Sequence, residues 1–433
     1  MATRRRLIAL GAGLAPGLTL AACSGAARTS PAPSETRTRP AVAMEYWSRW
    51  PQPAPTEIEE KRVGEWNAAN APTTFTRTGM VGDYIEKLNT AFAAGTGPDT
   101  YTVGGSGVPN FSAKGAALSG IDRYQAVQKE LPDFFPATVE AARYQGKLNG
   151  LPYIVDIRNM IVRKDHMQQA GLDTATFPET WDRFREAARR MTQRNGTDFA
   201  VVGFGMPKAS WGAHDLWFTL VQQQNAYPFN QELTRTQFTT AEARAALQLM
   251  VDLLNKDQVD TLKPPAPPSG QHALVAGLQA CTWDSAGPVN AARRAAPDQM
   301  ANIITAPIPM LKKRVTYMGG TLLMASNKPK DADAAVDFMV YLTAARHAEE
   351  INSVQNAVPP RKSARDLPYV MDPLIKTFYD AVGYGWTYPN HAHYTEIRDV
   401  IVKEIEPAMK LEKSVQAALD DAARGVQEYL DRR

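Results

Sequence analysis

Apolar and polar residues in the first quarter of the chain follow two alternating periods. Short apolar or alternating runs occupy residues 41–47, 73–78 and 99–103, and such runs are typical of strands. Residues 56–67 and 81–92 instead place their apolar side chains at the three- and four-residue spacing of amphipathic helices. Because strands and helices alternate in this order, the pattern predicts an α/β sheet with parallel neighbouring strands.

The rest of the chain is predicted to be richer in helix, especially toward its C-terminal end. Helical spacing predicts helices at residues 165–170, 181–193, 215–224, 240–255, 269–280, 331–345, 368–382 and 394–430, the last in two pieces broken near Pro407. Further strands are expected at residues 281–283 and 316–325. Roughly 390 residues beyond the N-terminal segment exceed a single hydrophobic core, so we expect two domains.

The N-terminal segment has the order of a secretion signal. Three arginines at residues 4–6 precede an apolar run of about 14 residues, which is too short to cross a bilayer stably. Sec and twin-arginine export both fit this segment. The run ends on Leu-Ala-Ala-Cys at residues 20–23, which resembles the bacterial lipobox, and by that resemblance Cys23 carries a lipid anchor. We expect a signal peptide over residues 1–22 and a disordered tether over residues 23–40.

Charge and cysteine content exclude some classes of protein. The chain has 48 Lys and Arg against 45 Asp and Glu, but residues 1–40 hold six Arg and one Glu, which leaves 42 against 44 in the rest. A nearly neutral folded part without a basic stripe argues against nucleic acid as a partner. Because Cys281 is the only cysteine besides Cys23, no internal disulfide is expected, and the fold must rely on its core.

Five segments, in order along the chain, resemble those of one protein family. They are the Gly-Lys-Leu-Asn-Gly-Leu-Pro-Tyr run at residues 146–153, the run ending in Ala-Gly-Leu at residues 162–172, the Pro-Glu-Thr-Trp-Asp-Arg-Phe helix start at residues 178–184, the helix at residues 331–342 and the Val-Pro-Pro-Arg turn at residues 358–361. Together they resemble the bacterial extracellular solute-binding proteins of the sugar-binding type, the relatives of maltose-binding protein. The sequence departs from that pattern at Asn149, where the family usually has an aromatic residue, and at residues 161–164.

This resemblance implies a periplasmic-binding-protein-like α/β fold with two hinge-linked lobes and a helix-rich C-terminal part. The expected lobes are residues 41–152 with about 316–345, and residues 153–315 with about 346–433, which include closing helices. The resemblance further implies the lipoprotein component of an ABC importer, exported, anchored to the cell membrane by Cys23 and facing the periplasm or the cell exterior. Its implied role is to capture a mono- or oligosaccharide and to deliver it to the importer's membrane subunits by hinge closure. We expect a monomer.

The implied sugar site needs flat aromatic side chains, because a sugar has apolar faces edged with hydroxyl groups. Tryptophans at strand ends and in loops rich in glycine or serine are therefore candidates for ligand binding: Trp47, Trp50, Trp211, Trp283 and Trp386. Packing in a core is the alternative for each of them.

Polar and glycine candidates follow from their positions after strands and after the crossing at residue 153. They are Asp83, Ser106, Tyr153, Asp156, Arg158, Asp284, Gly319, Gly320, Arg361 and His391. Simpler structural roles compete, since Asp83 fits a helix N-cap and the Gly319-Gly320 pair fits a bulge. Arg158 and Arg361 raise the alternative of an anionic ligand, such as a uronic acid or a sugar phosphate. An ion pair within the protein is the plain alternative for Arg158.

Enzymatic and metal-binding classes are not favoured by the sequence. A secreted, lipid-anchored glycoside-processing enzyme would need two carboxylates across a glycosidic bond, and the acidic residues are scattered without such a signal. No Gly-x-Ser-x-Gly nucleophile motif is present. His391 and His393 are close in sequence, but two alternating histidines more often form a surface pair than a metal site. We therefore expect a binding protein, not an enzyme, with no metal and no cofactor.

Overall fold

The computed structural model describes residues 40–432. The predicted signal peptide, Cys23 and the tether up to residue 39 lie outside these described residues. Within them the chain forms thirteen strands, which are β1 (Ala43–Ser48), β2 (Thr74–Gly79), β3 (Thr100–Gly104), β4 (Arg143–Tyr144), β5 (Lys147–Leu148), β6 (Leu151–Ile157), β7 (Asn159–Arg163), β8 (Gln193–Asn195), β9 (Asp198–Val201), β10 (Cys281–Asp284), β11 (Ile303–Ala306), β12 (Thr316–Ala325) and β13 (Gly385–Trp386).

A larger, mixed sheet has the strand order β13-β12-β3-β1-β2, and β6 also pairs with β12. β1 runs parallel to β2 and to β3, which confirms the parallel neighbours predicted from the alternating pattern. β12 is antiparallel to β3 and to β6. Its bounds coincide with the strand predicted at residues 316–325. A late segment of the chain therefore completes a sheet that the first segments begin.

The chain passes from the larger sheet to a smaller one at a single residue. β6 ends at Ile157 in the larger sheet, and β7 begins at Asn159 in an antiparallel sheet of order β10-β7-β11. Arg158 is the junction between them. Its backbone N–H donates to the carbonyl of Tyr317 at 3.0 Å, and its own carbonyl accepts from the hydroxyl of Thr316 at 2.7 Å. The junction is thus fastened to the start of β12.

Helices surround both sheets. They are α1 (Pro53–Asn70), α2 (Tyr84–Ala93), α3 (Gly107–Ala113), α4 (Gln125–Glu130), α5 (Pro136–Glu140), α6 (Lys164–Gln169), α7 (Trp181–Met191), α8 (Ser210–Gln223), α9 (Ala241–Asn255), α10 (Gly287–Ala295), α11 (Ala332–Leu342), α12 (Ala345–Val354), α13 (Pro368–Met371), α14 (Pro373–Ala381), α15 (Tyr394–Met409) and α16 (Val415–Leu430). None of the helices within residues 40–432 combines the length and the apolar character that crossing a bilayer requires.

The helix predicted at residues 269–280 is wrong, because these residues form turns that lead into β10. Gly270 and Gly277 have φ values of 79° and 77°, which interrupt an α-helical backbone. The apolar spacing that suggested a helix instead places Leu274 and Val275 in a core cluster. These apolar residues are thus spaced for burial in turns, and their helix-like spacing does not indicate a helix.

The two-piece helix predicted over residues 394–430 is confirmed, and its interruption lies just after Pro407. This proline is in the last turn of α15, which continues to Met409. The break comes at Leu411, whose φ is 58°, and the Ser414 hydroxyl then accepts from the N–H of Ala417 to cap α16.

Three clusters of buried apolar side chains fill the space around the two sheets. One packs the larger sheet against α1 and α11, where the ring of Phe338 stacks on Phe75 with a centroid distance of 4.0 Å. A second cluster joins α7, α8, α9, α15 and α16 and contains Trp181 and Trp217. A third contains Ile161 of the smaller sheet and side chains of α14. The helices α8 and α15 therefore pack in a different core from α1 and α11, and within the described residues only Tyr317 of β12 and Trp386 of β13 join that core from the larger sheet.

The close approach between Gly203 and α7 generates a stability prediction. A Cβ at Gly203 would lie 1.9 Å from the carbonyl oxygen of Ala188. We predict that Gly203→Ala lowers the free energy of unfolding by about 1–3 kcal/mol, because the backbone must shift to relieve the overlap. A Cβ at Gly64 in α1 meets nothing within 4 Å, so Gly64→Ala should raise it by about 0.5–1 kcal/mol. Urea denaturation measures both, and an unchanged midpoint for Gly203→Ala would contradict the close approach.

Candidate functional site

A cleft of about 1220 Å³ lies between the larger sheet and the helices α8 and α15. Its first wall is formed by the carboxyl ends of β1 and β3, with Arg49 and residues 104–107, and by residues 318–322 of β12. Its second wall includes residues 210–212 at the start of α8 and Arg398 of α15. The carboxyl ends of parallel strands are where open α/β sheets bind ligands.

The structure places eight of the fifteen predicted ligand-site residues on the wall of this cleft. They are Trp50, Asp83, Ser106, Asp156, Arg158, Trp211, Gly319 and Gly320. Trp283 and Asp284 line a smaller space of about 230 Å³, which we call the side pocket. Arg158, Gly212 and Asp215 line both spaces, so the cleft and the side pocket meet at these residues.

The other five predicted residues line neither space: Trp47, Tyr153, Arg361, Trp386 and His391. Tyr153 and Trp386 are buried core side chains. The indole N–H of Trp386 donates to the hydroxyl of Thr219 at 2.8 Å, and its ring stacks on Phe218 with a centroid distance of 5.4 Å. Trp386 therefore packs in the core, which is the alternative that the sequence analysis gave for each tryptophan.

Arg361, Trp47 and His391 have partners within the protein. The Arg361 guanidinium is buried, forms an ion pair with Glu130 and lies 4.0 Å from the centre of the Phe134 ring. The Trp47 indole N–H donates to the carboxylate of Glu45 at 3.0 Å. Burial lowers the pKa of His391, and the charge of the neighbouring histidine lowers it further. A ligand in the cleft would not meet Arg361.

Two of the predicted residues that line the cleft, Asp83 and Gly320, also have structural roles. Asp83 Oδ1 accepts from the N–H of Glu86 at 3.1 Å, which confirms the N-cap role considered for it. Gly320 has φ of 145°, and a Cβ there would lie 2.0 Å from the carbonyl oxygen of Ile154. The register between β6 and β12 shifts between Thr321 and Leu322, one residue beyond this glycine. The backbone of β6 therefore requires glycine at this position.

Arg158 links two carboxylates in the wall of the cleft. Its Nη1 lies 2.5 Å from Asp284 Oδ1, and its Nη2 lies 3.5 Å from Asp156 Oδ2. Burial raises the pKa of Asp156. Burial also acts to raise the pKa of Asp284, but the hydrogen bond with His272 and the charge of Arg158 outweigh it and hold that pKa below its usual value. The guanidinium charge of Arg158 is already compensated inside the protein.

Asp215 of α8 is a buried carboxylate that a hydrogen-bond chain holds in place. Its Oδ1 lies 2.9 Å from His214 Nδ1 and 3.1 Å from the hydroxyl of Tyr388. On the other side of the imidazole, His214 Nε2 lies 3.0 Å from the hydroxyl of Tyr394. Burial lowers the pKa of His214 and favours its neutral form. Since a carboxylate only accepts, Nδ1–H donates to Asp215 and Nε2 accepts from Tyr394.

Trp211 presents an aromatic ring at the mouth of the cleft, with 51% of its surface exposed. The guanidinium carbon of Arg398 lies 3.5 Å from the centre of this ring and 4.9 Å from that of Tyr388. The indole N–H donates to Asp399 Oδ1 at 3.0 Å. Ser210, directly before it, has φ of 56°, a value that strains a residue with a side chain. The ring is held by its neighbours while half of it stays open to solvent.

Buried polar atoms without a partner gather around the cleft. Within the described part of the chain, eleven buried side-chain nitrogen or oxygen atoms lack a hydrogen-bond partner. Six of them belong to residues that line the cleft or the side pocket, namely Asn110, Asp156, Gln279, Asn356, Asn390 and Arg398. A polar atom that stays both buried and unpaired costs about 1–3 kcal/mol.

The cleft also contains residues that the sequence analysis did not single out: Arg49, Asp215, Tyr317, Tyr388 and Arg398. Arg49 had a signal, because it follows the first predicted strand between two tryptophans. Asp215 was predicted only as the start of a helix. Tyr317, Tyr388 and Arg398 reach the cleft through contacts between distant parts of the chain, and the local pattern gives no sign of them.

The cleft offers a ligand hydrogen-bonding groups and aromatic rings. Within residues 40–432, no group of three or more His, Cys, Asp or Glu side chains is arranged to hold a metal ion. Burial raises the pKa of the Cys281 thiol, which donates to the carbonyl of Gly203 at 2.9 Å. That thiol is therefore protonated and part of the core.

Solved structures of sugar-binding proteins share this fold. The sugar-binding protein MalE from Xanthomonas citri superposes with a TM-score of 0.79 at 21% identity, covering 90% of this chain and 98% of that one. The cyclic alpha-maltosyl-1,6-maltose binding protein from Arthrobacter globiformis gives a TM-score of 0.78 at 20% identity, covering 91% of this chain and 100% of the other. Identities this low establish a shared fold and leave the ligand open.

Curated relatives match shorter stretches of the chain. An arabinooligosaccharide-binding protein from Halalkalibacterium halodurans is 24% identical over 290 residues, which is 64% of this chain and 62% of the relative. A lactose-binding protein from Rhizobium radiobacter is 22% identical over 294 residues, which is 65% of this chain and 66% of the relative. The matched region therefore spans slightly less than two thirds of each relative's own length.

The family itself follows from a match over most of the folded part. Residues 76–349 match the family described as bacterial extracellular solute-binding protein. That span exceeds half of the chain and includes β3, β6 and β12 of the larger sheet, the crossing at Arg158 and most of the cleft wall. The chain belongs to the bacterial extracellular solute-binding proteins, with their two-lobed α/β fold.

Proposed function

We propose that this protein captures a neutral carbohydrate, a mono- or oligosaccharide, in the cleft beside Trp211. The observation that carries the proposal is the half-exposed Trp211 ring, held by Arg398 beside a cleft whose buried polar atoms lack partners. An aromatic face suits the apolar face of a sugar, and unpaired acceptors and donors suit its hydroxyl groups. The ligands named for the relatives, an arabinooligosaccharide and lactose, support the same class.

An uncharged ligand is favoured over an acidic one. The charged residues that line the cleft are four cations, Arg49, Lys114, Arg158 and Arg398, and five anions, Asp83, Glu140, Asp156, Asp215 and Glu396. Arg158 is paired with two carboxylates, and Arg361 lies elsewhere. The cleft therefore has no excess of positive charge to attract a uronic acid or a sugar phosphate.

We propose that the protein binds its ligand by closure of two lobes. One lobe comprises residues 41–152 with about 316–345, and the other comprises residues 153–315 with about 346–433. Arg158 and the start of β12 lie side by side where the chain crosses between sheets. A ligand that contacts both walls of the cleft binds the closed state better and shifts the population toward it. The membrane subunits of an ABC importer would then receive the unaltered ligand, without any turnover by this protein.

The screen that tests the proposal is a melting-temperature assay with neutral mono- and oligosaccharides, uronic acids, sugar phosphates and amino acids. A ligand that binds only the native state must raise the melting temperature. We expect a rise with neutral sugars and recovery of the sugar unchanged by chromatography. A rise only with acidic sugars would refute the preference for an uncharged ligand, and a changed sugar would refute the absence of turnover.

Trp211 provides the matching variant test. Trp211→Ala should weaken binding of the sugar found in the screen about tenfold or more, since that loss corresponds to about 1.4 kcal/mol of ring contact. Trp211→Phe keeps a flat ring and should retain most of the affinity. Calorimetric titration measures both. Unchanged affinity in Trp211→Ala would remove the observation on which the proposed site rests.

We further propose that Cys23 is lipidated and that the protein is attached to the outer face of the cell membrane. In a bacterial host, the full chain should partition into the detergent phase on Triton X-114 separation, because each buried methylene of an acyl chain contributes about 0.8 kcal/mol. Cys23→Ala should move it to the aqueous phase. Cys281→Ala, which alters a buried thiol, is the control and should partition like the original chain. Equal partition of all three would contradict the anchor.

A further inference from the structure

The side pocket has the size of a single small ring. Its volume of about 230 Å³ corresponds to roughly seven or eight water molecules at ~30 Å³ each. Its wall is made by residues 205–207, Gly212 and the end of β10, and it joins the cleft at Arg158 and Asp215. One end of a longer molecule lying in the cleft can therefore enter it.

A buried acceptor in this pocket has no partner. Within the described part of the chain, Oε1 of Gln279 is buried and accepts no hydrogen bond. The Gln279 amide occupies the space that a side chain at position 205 would fill, since a Cβ at Gly205 would lie 2.4 Å from it. Bridges between Val202 and Gln279 and between Gly205 and Thr282 fix the backbone on both sides. The backbone that carries the orphaned acceptor is thus held on both sides.

The other lining groups favour a hydroxylated, uncharged ring. Thr282 donates its hydroxyl to the carbonyl of Gly205 at 2.9 Å, so its oxygen can only accept from a ligand. Asp284 is paired with Arg158 and keeps lone pairs for further donors. Met206 provides an apolar contact. Acceptors therefore predominate, and hydroxyl groups are the donors that would satisfy them.

We propose that the side pocket binds the terminal ring of an oligosaccharide whose remaining units lie in the cleft. This inference rests on the proposed function and sharpens it, because it makes the preferred ligand a chain of at least two sugar units. The pocket then determines which end unit is accepted, and the cleft with Trp211 holds the rest.

Gln279 and Thr282 allow a test that leaves the cleft intact, because they line the side pocket only. In calorimetric titrations with maltose, maltotriose, lactose, arabinobiose and arabinotriose, the mature protein should bind at least one of them ten times more tightly than glucose, galactose or arabinose. Gln279→Leu and Thr282→Val should each weaken that binding about tenfold. The exposed Gln271→Leu, in the same segment, should bind like the original protein.

The melting temperature of the unliganded variants separates a binding role from a structural one. Replacing Gln279, whose buried Oε1 has no partner, by leucine should leave the melting temperature unchanged or raise it, while affinity falls. Thr282→Val provides a second variant if Gln279→Leu does not fold. Oligosaccharide binding that survives in both variants would overturn the side-pocket assignment and leave the proposed function standing. Absence of binding of any sugar by the original protein would overturn both.

Discussion

The hydrogen bonds between Arg158 and the first residues of β12 are the constraint on which the geometry of the cleft depends. At this residue the chain leaves the larger sheet for the smaller one, and two hydrogen bonds tie its backbone to Thr316 and Tyr317. Its side chain reaches Asp284 at the end of β10. Arg158 thereby links the larger sheet to the end of β10, and it lines both the cleft and the side pocket.

The same residue sets the electrostatics of the cleft. Asp156 and Asp284 compensate the guanidinium charge of Arg158, and an anionic ligand that bound this guanidinium would have to displace a carboxylate from it. The pair is therefore poorly suited to opening for an anionic ligand. A neutral ligand can instead bond to the outer lone pairs of these carboxylates while the pair stays closed, which agrees with the balance of charges along the wall.

The spacing of apolar residues predicts helices and strands well where the buried residues follow the period of the element that forms. It predicts them poorly where residues are buried for other reasons. β12 is a long apolar run whose pattern fits only a strand, and the sequence predicts both of its ends correctly. Residues 269–280 carry apolar side chains at helical spacing, but two glycines with positive φ turn the chain. The same limit applies to the site. Trp211, predicted in a loop, lies in the first turn of α8 and lines the cleft, whereas Trp386 follows a glycine and is buried against Phe218, a contact that no local pattern reveals.

The site departs from the rules that the rest of the fold obeys, and those departures share a physical meaning. Trp211 is exposed although large aromatic side chains normally gain from burial, Ser210 adopts a strained φ, and Gln279 keeps a buried oxygen without a partner. Each feature costs stability in the free protein. The exposed indole and the unpaired oxygen are the two features that a ring with hydroxyl groups would relieve, by covering the indole and donating to the oxygen. Under the proposed function, stability that the free protein forgoes at these two features is regained when the ligand binds.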